Sequence, residues 1–298
     1  MAAARAKPPS SPRLTNTFSA PLQLKAEIKI HSVLKHRRVV EYKHFFEDRT
    51  NCYILLELCH NQSMNELIKR RKRLTEPEVL YFMMQLIDGT KYMHNNNVIH
   101  RDLKLGNLFI DRYMGIKIGD LGLATKLSHS NERKRTICGT PNYIAPEIID
   151  GKGGHSFQVD IWSMGVIMYT LLVGKPPYEA KDVKSTYKRI LANVYSFPDH
   201  VVVSEPAKNL IRSMLQSKPD LRPTLDEVQV SSGRMSATTL IVCICVIYKG
   251  ALRVPRCSSH ALLLITPPRR IILFSRDRKL RFQCLSRSLA RSKLLDGG

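Results

Sequence analysis

Paired cysteines are missing from this sequence. None of its seven cysteines forms a Cys-x-x-Cys pair, and none has a histidine at zinc-finger spacing. An odd and unpatterned set of cysteines is typical of reduced thiols in an intracellular protein. The sequence therefore favours neither a disulfide framework nor a structural zinc site.

Long apolar runs are missing as well. Residues 1–21 are basic and free of acidic residues, but they lack the apolar stretch of a secretory signal. Pro8, Pro9 and Pro12 oppose the amphipathic helix of an organelle transit peptide, which stays an alternative. Residues 236–254 hold only about a dozen apolar residues, fewer than the roughly 20 that a membrane span requires. We expect no membrane partner.

Negative charge is scarce. The chain has 25 Asp and Glu against 47 Lys and Arg, a formal net charge of +22. Such an excess is compatible with a nucleic-acid or membrane partner, or with an acidic or phosphorylated substrate. Half of it lies in residues 230–298, which carry 13 Lys and Arg against 2 Asp and Glu. We interpret 230–298 as a basic tail that is not natively folded, such as intron read-through or a shifted frame, with nucleic-acid binding as the alternative.

The rest of the chain divides into a short polar start and a long folded part. Residues 1–21, rich in Pro, Ser and Ala, are expected to be disordered, and 22–229 to be folded. Apolar spacing and end signals predict helices in LQLKAEIKIHSVLKH, SMNELIKRRKRL, TEPEVLYFMMQLIDGTKYMHNNN, DIWSMGVIMYTLLVG and EPAKNLIRSMLQ, and strands in NCYILLELC and IKIGDLGLA. Few strands followed by many helices indicate an α+β domain dominated by a helical lobe.

Two of these helices carry recognisable ends. Thr75, Pro77 and Glu78 form the pattern of a capping box with a proline in the first helical turn. Gly174 follows the long apolar helix and is expected to end it. These signals fix the start of one helix and the end of another.

A cluster of polar residues lies between two apolar runs in VIHRDLKLGNLFI, residues 98–110. Asp102 and Asn107 could belong to a plain surface turn, since both residue types favour turns. Further motifs follow in a fixed order: Asp120-Leu121-Gly122, Ala145-Pro146-Glu147, Asp160 with Trp162 and Gly165, and Arg222. The ordered set makes a catalytic loop the better interpretation.

This ordered set resembles the signature of eukaryotic protein kinases. HRDLKLGN corresponds to H-R-D-x-K-x-x-x-N, and DLG to D-F-G with leucine in place of phenylalanine. The resemblance implies a protein-kinase-like α+β fold, with a partial β-rich small lobe over 22–59 and an intact helical large lobe over 60–229. It also implies ATP and Mg²⁺ as cofactors. Asp-x-Lys and Gly139-Thr140-Pro141 resemble the Ser/Thr-specific branch.

The resemblance assigns roles to the site residues. Asp102 would accept the proton of the substrate hydroxyl, and Lys104 would neutralise charge on the γ-phosphoryl group. Asn107 and Asp120 would hold Mg²⁺ against the phosphates, since Mg²⁺ prefers oxygen ligands. The hinge that binds adenine through its backbone would run from Glu57 to Cys59, after Leu56 as gatekeeper.

Regulatory and structural roles follow from the same resemblance. Thr136 holds the position whose phosphorylation would order the activation segment by pairing with Arg101, unless it is an unmodified loop threonine. Glu147 and Arg222 would form a buried ion pair. Asp160 is expected to anchor the backbone of the catalytic loop. His100 is expected to pack and hydrogen-bond rather than to act as a base.

Several stretches narrow the resemblance to the polo-like kinases over about 22–229. They include HFFEDRTNCYILLELC, KRRKRLTEPEV, ERKRTICGTPNYIAPE and MYTLLVGKPPYEA. The polo-like family implies a role in mitosis and the cell cycle, in cytoplasm and nucleus and at spindle poles or centrosomes. It implies protein substrates with Ser or Thr in an acidic context, and we expect a monomer.

Two departures from the family pattern matter. No glycine-rich phosphate loop or V-A-I-K-type strand precedes residue 22, and nothing after 229 resembles the family's polo boxes. Glu27 would normally pair with a strand lysine about twenty residues upstream, where Lys7 is followed by Pro8 and Pro9, which disfavour a central strand. The alternative function is therefore a catalytically impaired binding or regulatory module.

Overall fold

The structure, a computed structural model, describes residues 22–48, 51–129, 131–234, 261–266 and 270–275. The helices are α1 (Leu22–His31), α2 (Met64–Arg71), α3 (Glu76–Asn95), α4 (Pro146–Asp150), α5 (Gln158–Val173), α6 (Val183–Ala192), α7 (Glu205–Met214) and α8 (Leu225–Arg234). The strands are β1 (Tyr42–Glu47), β2 (Cys52–Leu56), β3 (Val98–Ile99), β4 (Leu108–Ile110), β5 (Ile116–Ile118), β6 (Thr125–Lys126), β7 (Ala261–Thr266) and β8 (Arg270–Ser275). The α+β fold with few small-lobe strands is as the sequence predicts.

The small lobe is built on the antiparallel pair β1 and β2. Cys52, Ile54 and Leu56 are buried, whereas the residues between them are partly exposed, because side chains alternate between the two faces of a strand. The buried face packs against Leu24 of α1 and against Val40. Helix α1 therefore covers part of the buried face of this strand pair.

Two segments of the basic tail are strands, which differs from the expectation that 230–298 lies outside the fold. β7 pairs with β2 in an antiparallel register that sets Ile54 opposite Ile265, and β8 continues the sheet beyond β7. Both segments are mostly apolar, and the edge of β2 otherwise presents unpaired backbone groups. The sheet order is β1-β2-β7-β8.

The large lobe forms around α5, which is buried on nearly every side. The helix is apolar all round, as expected for a central core helix. Gly165 lets α7 approach closely, because a Cβ at that position would lie 2.9 Å from Leu215 Cδ2 and 3.0 Å from Met214 Cβ. Trp162 is fully buried in the same core.

The predicted helix ends are present. The Thr75 N–H donates a hydrogen bond to Glu78 Oε2 at 2.9 Å and completes the capping box of α3. Gly174 ends α5 in the left-handed region at φ +95°, where other residues are strained.

α8 runs to Arg234, beyond the expected domain end at 229. The expected disorder of 1–21 lies outside the described residues. No helix in the described ranges combines the length and apolar character that crossing a bilayer requires.

A buried ion pair ties α4 to the end of the large lobe. Arg222 donates to both carboxylate oxygens of Glu147, at 2.6 and 2.7 Å, and its side chain is fully buried. Its guanidinium also lies 5.0 Å from the ring centroid of Trp162 and donates to the Gln216 carbonyl. The pair therefore joins three separate segments.

Replacing Arg222 by methionine is expected to lower the free energy of unfolding by about 3–5 kcal/mol, because it leaves the Glu147 carboxylate without its partner. Urea unfolding of Arg222→Met measures the loss. The control is Arg212→Met, which removes an exposed pair with Glu205 and should cost about 1 kcal/mol or less. Equal losses from the two variants would contradict this assignment.

Deleting residues 235–298 is expected to lower the midpoint of thermal unfolding, since the deletion removes β7 and leaves the edge of β2 unpaired. A shift of about 2–4 °C is expected per kcal/mol lost. Leu264→Pro should act in the same direction, because proline cannot donate to a ladder with strands on both sides. Ser258→Pro, outside β7, is the control, and an unchanged midpoint in both the deletion and Leu264→Pro would rule out this pairing.

Candidate active site

The loop after β3 is held by one buried carboxylate from the first turn of α5. Asp160 Oδ2 accepts hydrogen bonds from the His100 N–H at 3.0 Å and from His94 Nε2 at 2.8 Å. Asp160 Oδ1 accepts from the Arg101 N–H at 2.9 Å. Arg101 has a φ of +66°, so the chain turns sharply at the point where this carboxylate binds it.

The environment of Asp160 favours its charged form. Burial acts to raise the pKa of this carboxyl, but the hydrogen bond and charge of His94 and the backbone N–H of His100 act against burial. The net result is a pKa below the ordinary value of an aspartate. Asp160 is therefore a fixed anion at the base of the loop.

His100 is fixed in one tautomer by its neighbours. Its Nδ1 accepts from the Asp102 N–H at 3.2 Å, so the ring proton lies on Nε2, which donates to the Gly119 carbonyl at 3.1 Å. Both ring nitrogens are occupied within the protein. His100 thus connects the loop to the segment that carries Asp120.

Asp102 lies at the centre of a short hydrogen-bond network. Thr140 donates to Asp102 Oδ1 through its hydroxyl at 2.7 Å and its N–H at 3.0 Å. Lys104 Nζ donates to Asp102 Oδ2 at 2.5 Å and to Thr140 Oγ1 at 2.8 Å. Asp102 is only 6% exposed, so its carboxylate is held in one orientation. Thr140 was not among the predicted site residues, although Gly139-Thr140-Pro141 is a recognisable motif.

Asn107 and Asp120 lie at the open end of the β4–β5 hairpin. Leu108 pairs with Ile118, and the Gly119 N–H donates to the Asn107 carbonyl at 2.9 Å. Asn107 is therefore opposite Gly119. The next residue after Gly119 is Asp120, whose side chain is exposed. The Asn107 Nδ2 donates to the Asp102 carbonyl at 3.0 Å, and its Oδ1 accepts no hydrogen bond from the described residues, so it can act as a ligand. An amide oxygen with an exposed carboxylate suits Mg²⁺.

Glu27 of α1 reaches the same region from the small lobe. A Cβ on Gly122 would lie 3.3 Å from Asp120 Oδ1 and 3.4 Å from Glu27 Oε2, so the two carboxylates flank this glycine. Burial, and then the negative charge of Asp120, raise the pKa of Glu27 from 4.5 to about 7. Glu27 forms no ion pair with any residue that the structure describes, and Lys7 lies outside those residues.

The predicted hinge follows β2 directly. The Glu57 carboxylate pairs with Lys117 Nζ at 2.5 Å, and its N–H donates to the Glu41 carbonyl at 3.0 Å. Burial raises the pKa of the Cys59 thiol to about 12, which keeps the thiol neutral. The Glu57 side chain is thus engaged with β5, and Leu56 is buried in the sheet.

The activation segment, which lies between Asp120 and Glu147, approaches Arg101 at Gly139. A Cβ on Gly139 would lie 3.2 Å from the Arg101 carbonyl, which shows the close approach. The Arg101 Nε donates to the Leu123 carbonyl at 2.7 Å, while Thr136 is exposed. No hydrogen bond between Arg101 and Thr136 is present in the described part of the segment.

The structure therefore brings most of the predicted site together. Asp102, Lys104 and Asn107 share hydrogen bonds, and Asp120 directly follows Gly119, the residue opposite Asn107. Glu27 lies beside Asp120 and pairs with no cation among the residues that the structure describes. On the edge of β2 away from β1, strand β7 has the sequence ALLLIT and contributes no basic residue.

The chain is similar in sequence to known proteins. Residues 14–232 match the family model described as protein kinase domain. The probable serine/threonine-protein kinase CCRP1 of Zea mays is 63% identical over 206 residues, covering 69% of this chain and 33% of that protein. The serine/threonine-protein kinase PLK1 of Xenopus laevis is 57% identical over 202 residues, covering 68% of this chain and 33% of that protein.

A third relative carries a cell-cycle name. The cell cycle serine/threonine-protein kinase CDC5/MSD2 of Saccharomyces cerevisiae is 54% identical over 207 residues, covering 69% of this chain and 29% of that protein. The chain thus spans about a third or less of the length of these relatives. The family match includes every site residue described above, from Glu27 to Arg222. The chain belongs to the protein kinase family, and over that domain it is similar to polo-like kinases.

Proposed function

We propose that the protein is a serine/threonine protein kinase that transfers the γ-phosphoryl group of ATP to a protein hydroxyl. The observation that carries the proposal is the network around Asp102, in which Lys104 and Thr140 hold both carboxylate oxygens. A buried carboxylate in a fixed orientation can orient an incoming hydroxyl and accept its proton. Lys104 donates to the same carboxylate, and its positive charge would neutralise negative charge on the γ-phosphoryl group during transfer.

The nucleotide would lie between the two lobes. We assign adenine binding to the backbone of Glu57 to Cys59, because the Glu57 side chain is already paired with Lys117. Asn107 and Asp120 would hold Mg²⁺, which neutralises phosphate charge when bound. The role of the protein in this transfer is positioning, and the Asp160 hydrogen bonds to the loop support it.

Regulation is proposed to act through the activation segment. Phosphate on the exposed Thr136 would attract Arg101, whose Nε now donates to the Leu123 carbonyl. The segment already contacts the Arg101 carbonyl at Gly139, so only a few residues would have to move. Ordering of the segment would follow from the new charge-assisted hydrogen bonds.

Substrates and location are proposals as well. The net charge of +22 favours protein substrates with Ser or Thr in an acidic context. The names of the relatives support a cell-cycle role, from which we infer action in cytoplasm and nucleus and at spindle poles or centrosomes. We propose that the chain acts as a monomer.

A second candidate function rests on Glu27. Its carboxylate has no cation partner in the described ranges, and β7 supplies none beside β2. Imprecise placement of the β- and γ-phosphates would slow transfer by orders of magnitude. The chain would then bind nucleotide or protein ligands as a regulatory module with little turnover.

Asp102→Asn is expected to lower phosphoryl transfer to casein by about 10²–10⁴-fold, because it removes the proton acceptor. The assay is transfer of radiolabelled phosphate from ATP, with Asp220→Asn, an exposed aspartate, as control. No labelling by wild type, with ATP binding retained, would favour the binding module. Equal labelling by wild type and Asp102→Asn would exclude turnover at this site.

Stability is expected to fall as the pH rises from about 4.5 to 7 because of Glu27. A carboxyl whose pKa is raised in the folded state favours folding in its protonated form, which is lost through pH 7. Glu27→Gln should therefore match wild type at pH 5 and exceed it at pH 8 by up to about 3 kcal/mol. Urea unfolding with EDTA measures this, and Glu179→Gln, an exposed site, is the control. A parallel pH dependence of wild type and Glu27→Gln would contradict it.

A further inference from the structure

His155 is a buried histidine to which the active site described above gives no role. It lies three residues before the start of α5 and is only 2% exposed. Its Nε2 is buried and has no hydrogen-bond partner among the residues that the structure describes. Such an atom costs free energy, because it gives up its hydrogen bond to water on folding and gains none in return. Core packing alone therefore does not account for a histidine at this position.

The activation segment is attached to His155 through the backbone. The Lys134 N–H donates to the His155 carbonyl at 2.9 Å, and the His155 N–H donates to the Lys134 carbonyl at 2.8 Å. The two residues form an isolated antiparallel bridge. A Cβ on Gly154 would lie 3.0 Å from both Arg133 Cβ and the Lys134 carbonyl oxygen, so the two backbones are also close one residue earlier.

Thr136 lies between this bridge and the point where the segment approaches Arg101. It is two residues after Lys134 and three residues before Gly139, where a Cβ would lie 3.2 Å from the Arg101 carbonyl oxygen. An extended chain covers at most about 3.6 Å per residue, so the Cα of Thr136 stays within about 7 Å of the Cα of Lys134. One fixed point of the segment is thus at His155, and the other is at Arg101.

The charged groups around His155 come from four parts of the fold. They are Arg101 of the catalytic loop, Lys134 of the activation segment, Glu147 of α4 and Asp160 of α5. Burial, and then the positive charge of Arg101, lower the pKa of His155 below its ordinary value. The two carboxylates act in the opposite direction without reversing this result. The ring is therefore neutral near pH 7 in the unmodified chain.

Neither carboxylate serves as the acceptor for His155. Both oxygens of Glu147 accept from Arg222, at 2.6 and 2.7 Å. The oxygens of Asp160 accept from His94 and from backbone N–H groups of the catalytic loop. The Nε2 of His155 donates to neither of them. An anion that enters beside Arg101 would supply the missing acceptor.

We propose that His155 is a ligand of a phosphate group on Thr136 and that it binds this phosphate together with Arg101. The inference rests on the regulation proposed above. Phosphorylation by a protein kinase forms the bond from Thr136 Oγ1 to the terminal phosphorus of ATP. It breaks the bond from that phosphorus to the bridging oxygen, so that ADP leaves and the hydroxyl proton is released.

The phosphate group has enough acceptors for both side chains. It carries three strong acceptor oxygens, which can receive the Arg101 guanidinium and the His155 Nε2–H at the same time. Thr136 is exposed, so a kinase can reach it, and only the residues between Lys134 and Gly139 have to rearrange afterwards. Proton uptake by His155 would accompany this contact, because a negative group beside the ring favours its charged form.

The first test follows the titration of His155 by NMR, in protein with phosphothreonine incorporated at position 136 and in unmodified protein. The pKa of His155 should be about 1–3 units higher in the phosphorylated protein, the range expected for an opposite charge within hydrogen-bonding reach. The His155 signal is assigned by its loss in His155→Gln. The ring signals of His60, an exposed histidine after β2, should titrate identically in both samples.

The second test is the rate at which a Ser/Thr phosphatase removes the phosphate from Thr136. His155→Leu keeps an apolar side chain in place but removes the donor, and it should raise the rate by about tenfold or more, the factor of a lost hydrogen bond to a charged group. His155→Gln keeps an N–H donor and should restore most of the protection. His31→Leu replaces another buried histidine, at the end of α1, and is the matched control for lost stability.

The outcomes separate this inference from the proposed kinase function, because the phosphate is incorporated during protein synthesis and neither test needs turnover. A protein that shows the pKa rise and the protection but transfers no phosphate would support this inference and overturn the kinase function. An unchanged pKa of His155 on phosphorylation would overturn the inference even in an active kinase. Equal dephosphorylation rates in wild type and His155→Leu, or equal increases in His155→Leu and His31→Leu, would overturn it as well.

Discussion

The active-site loop depends on the carboxylate of Asp160. This buried group accepts hydrogen bonds from the consecutive backbone N–H groups of His100 and Arg101 and from the His94 side chain. The loop turns at Arg101, which has a left-handed backbone conformation. Because Asp160 belongs to the central helix α5, the position of the loop is set by a helix that is buried on nearly every side. Asp102 directly follows these two residues, so the hydrogen bonds of Asp160 also fix the position of Asp102.

A second level of order comes from short connections between segments far apart in sequence. His100 links the loop to the Gly119 carbonyl, and Thr140 links Asp102 to the activation segment. The loop, the β4–β5 hairpin and the activation segment are therefore held by one continuous set of hydrogen bonds. A disturbance of any one of them would be felt at the Asp102 carboxylate.

Sequence reasoning predicted the elements with strong local signals and missed those decided by distant contacts. The capping box at Thr75 and the apolar run of α5 are local, so their helices could be read directly. α6 was missed because its apolar residues are few, and most of its surface is exposed. Asp102 was found through its motif, whereas the contact of Thr140 with it depends on how the activation segment folds back. The pairing of β7 with β2 has no local signal, because it depends on a free sheet edge elsewhere.

The strand pair β2–β7 has a consequence for how the chain acquires its structure. Ile54 and Ile265 are opposite each other although more than 200 residues separate them along the chain. Closing so long a loop costs conformational entropy before the hydrogen bonds between the two strands can form. Such non-local pairing slows folding. During synthesis, the large lobe can fold before β7 and β8 have been made and added to the sheet of the small lobe. The order of assembly would then run opposite to the order of the chain, with the lobe nearest the N-terminus completed last.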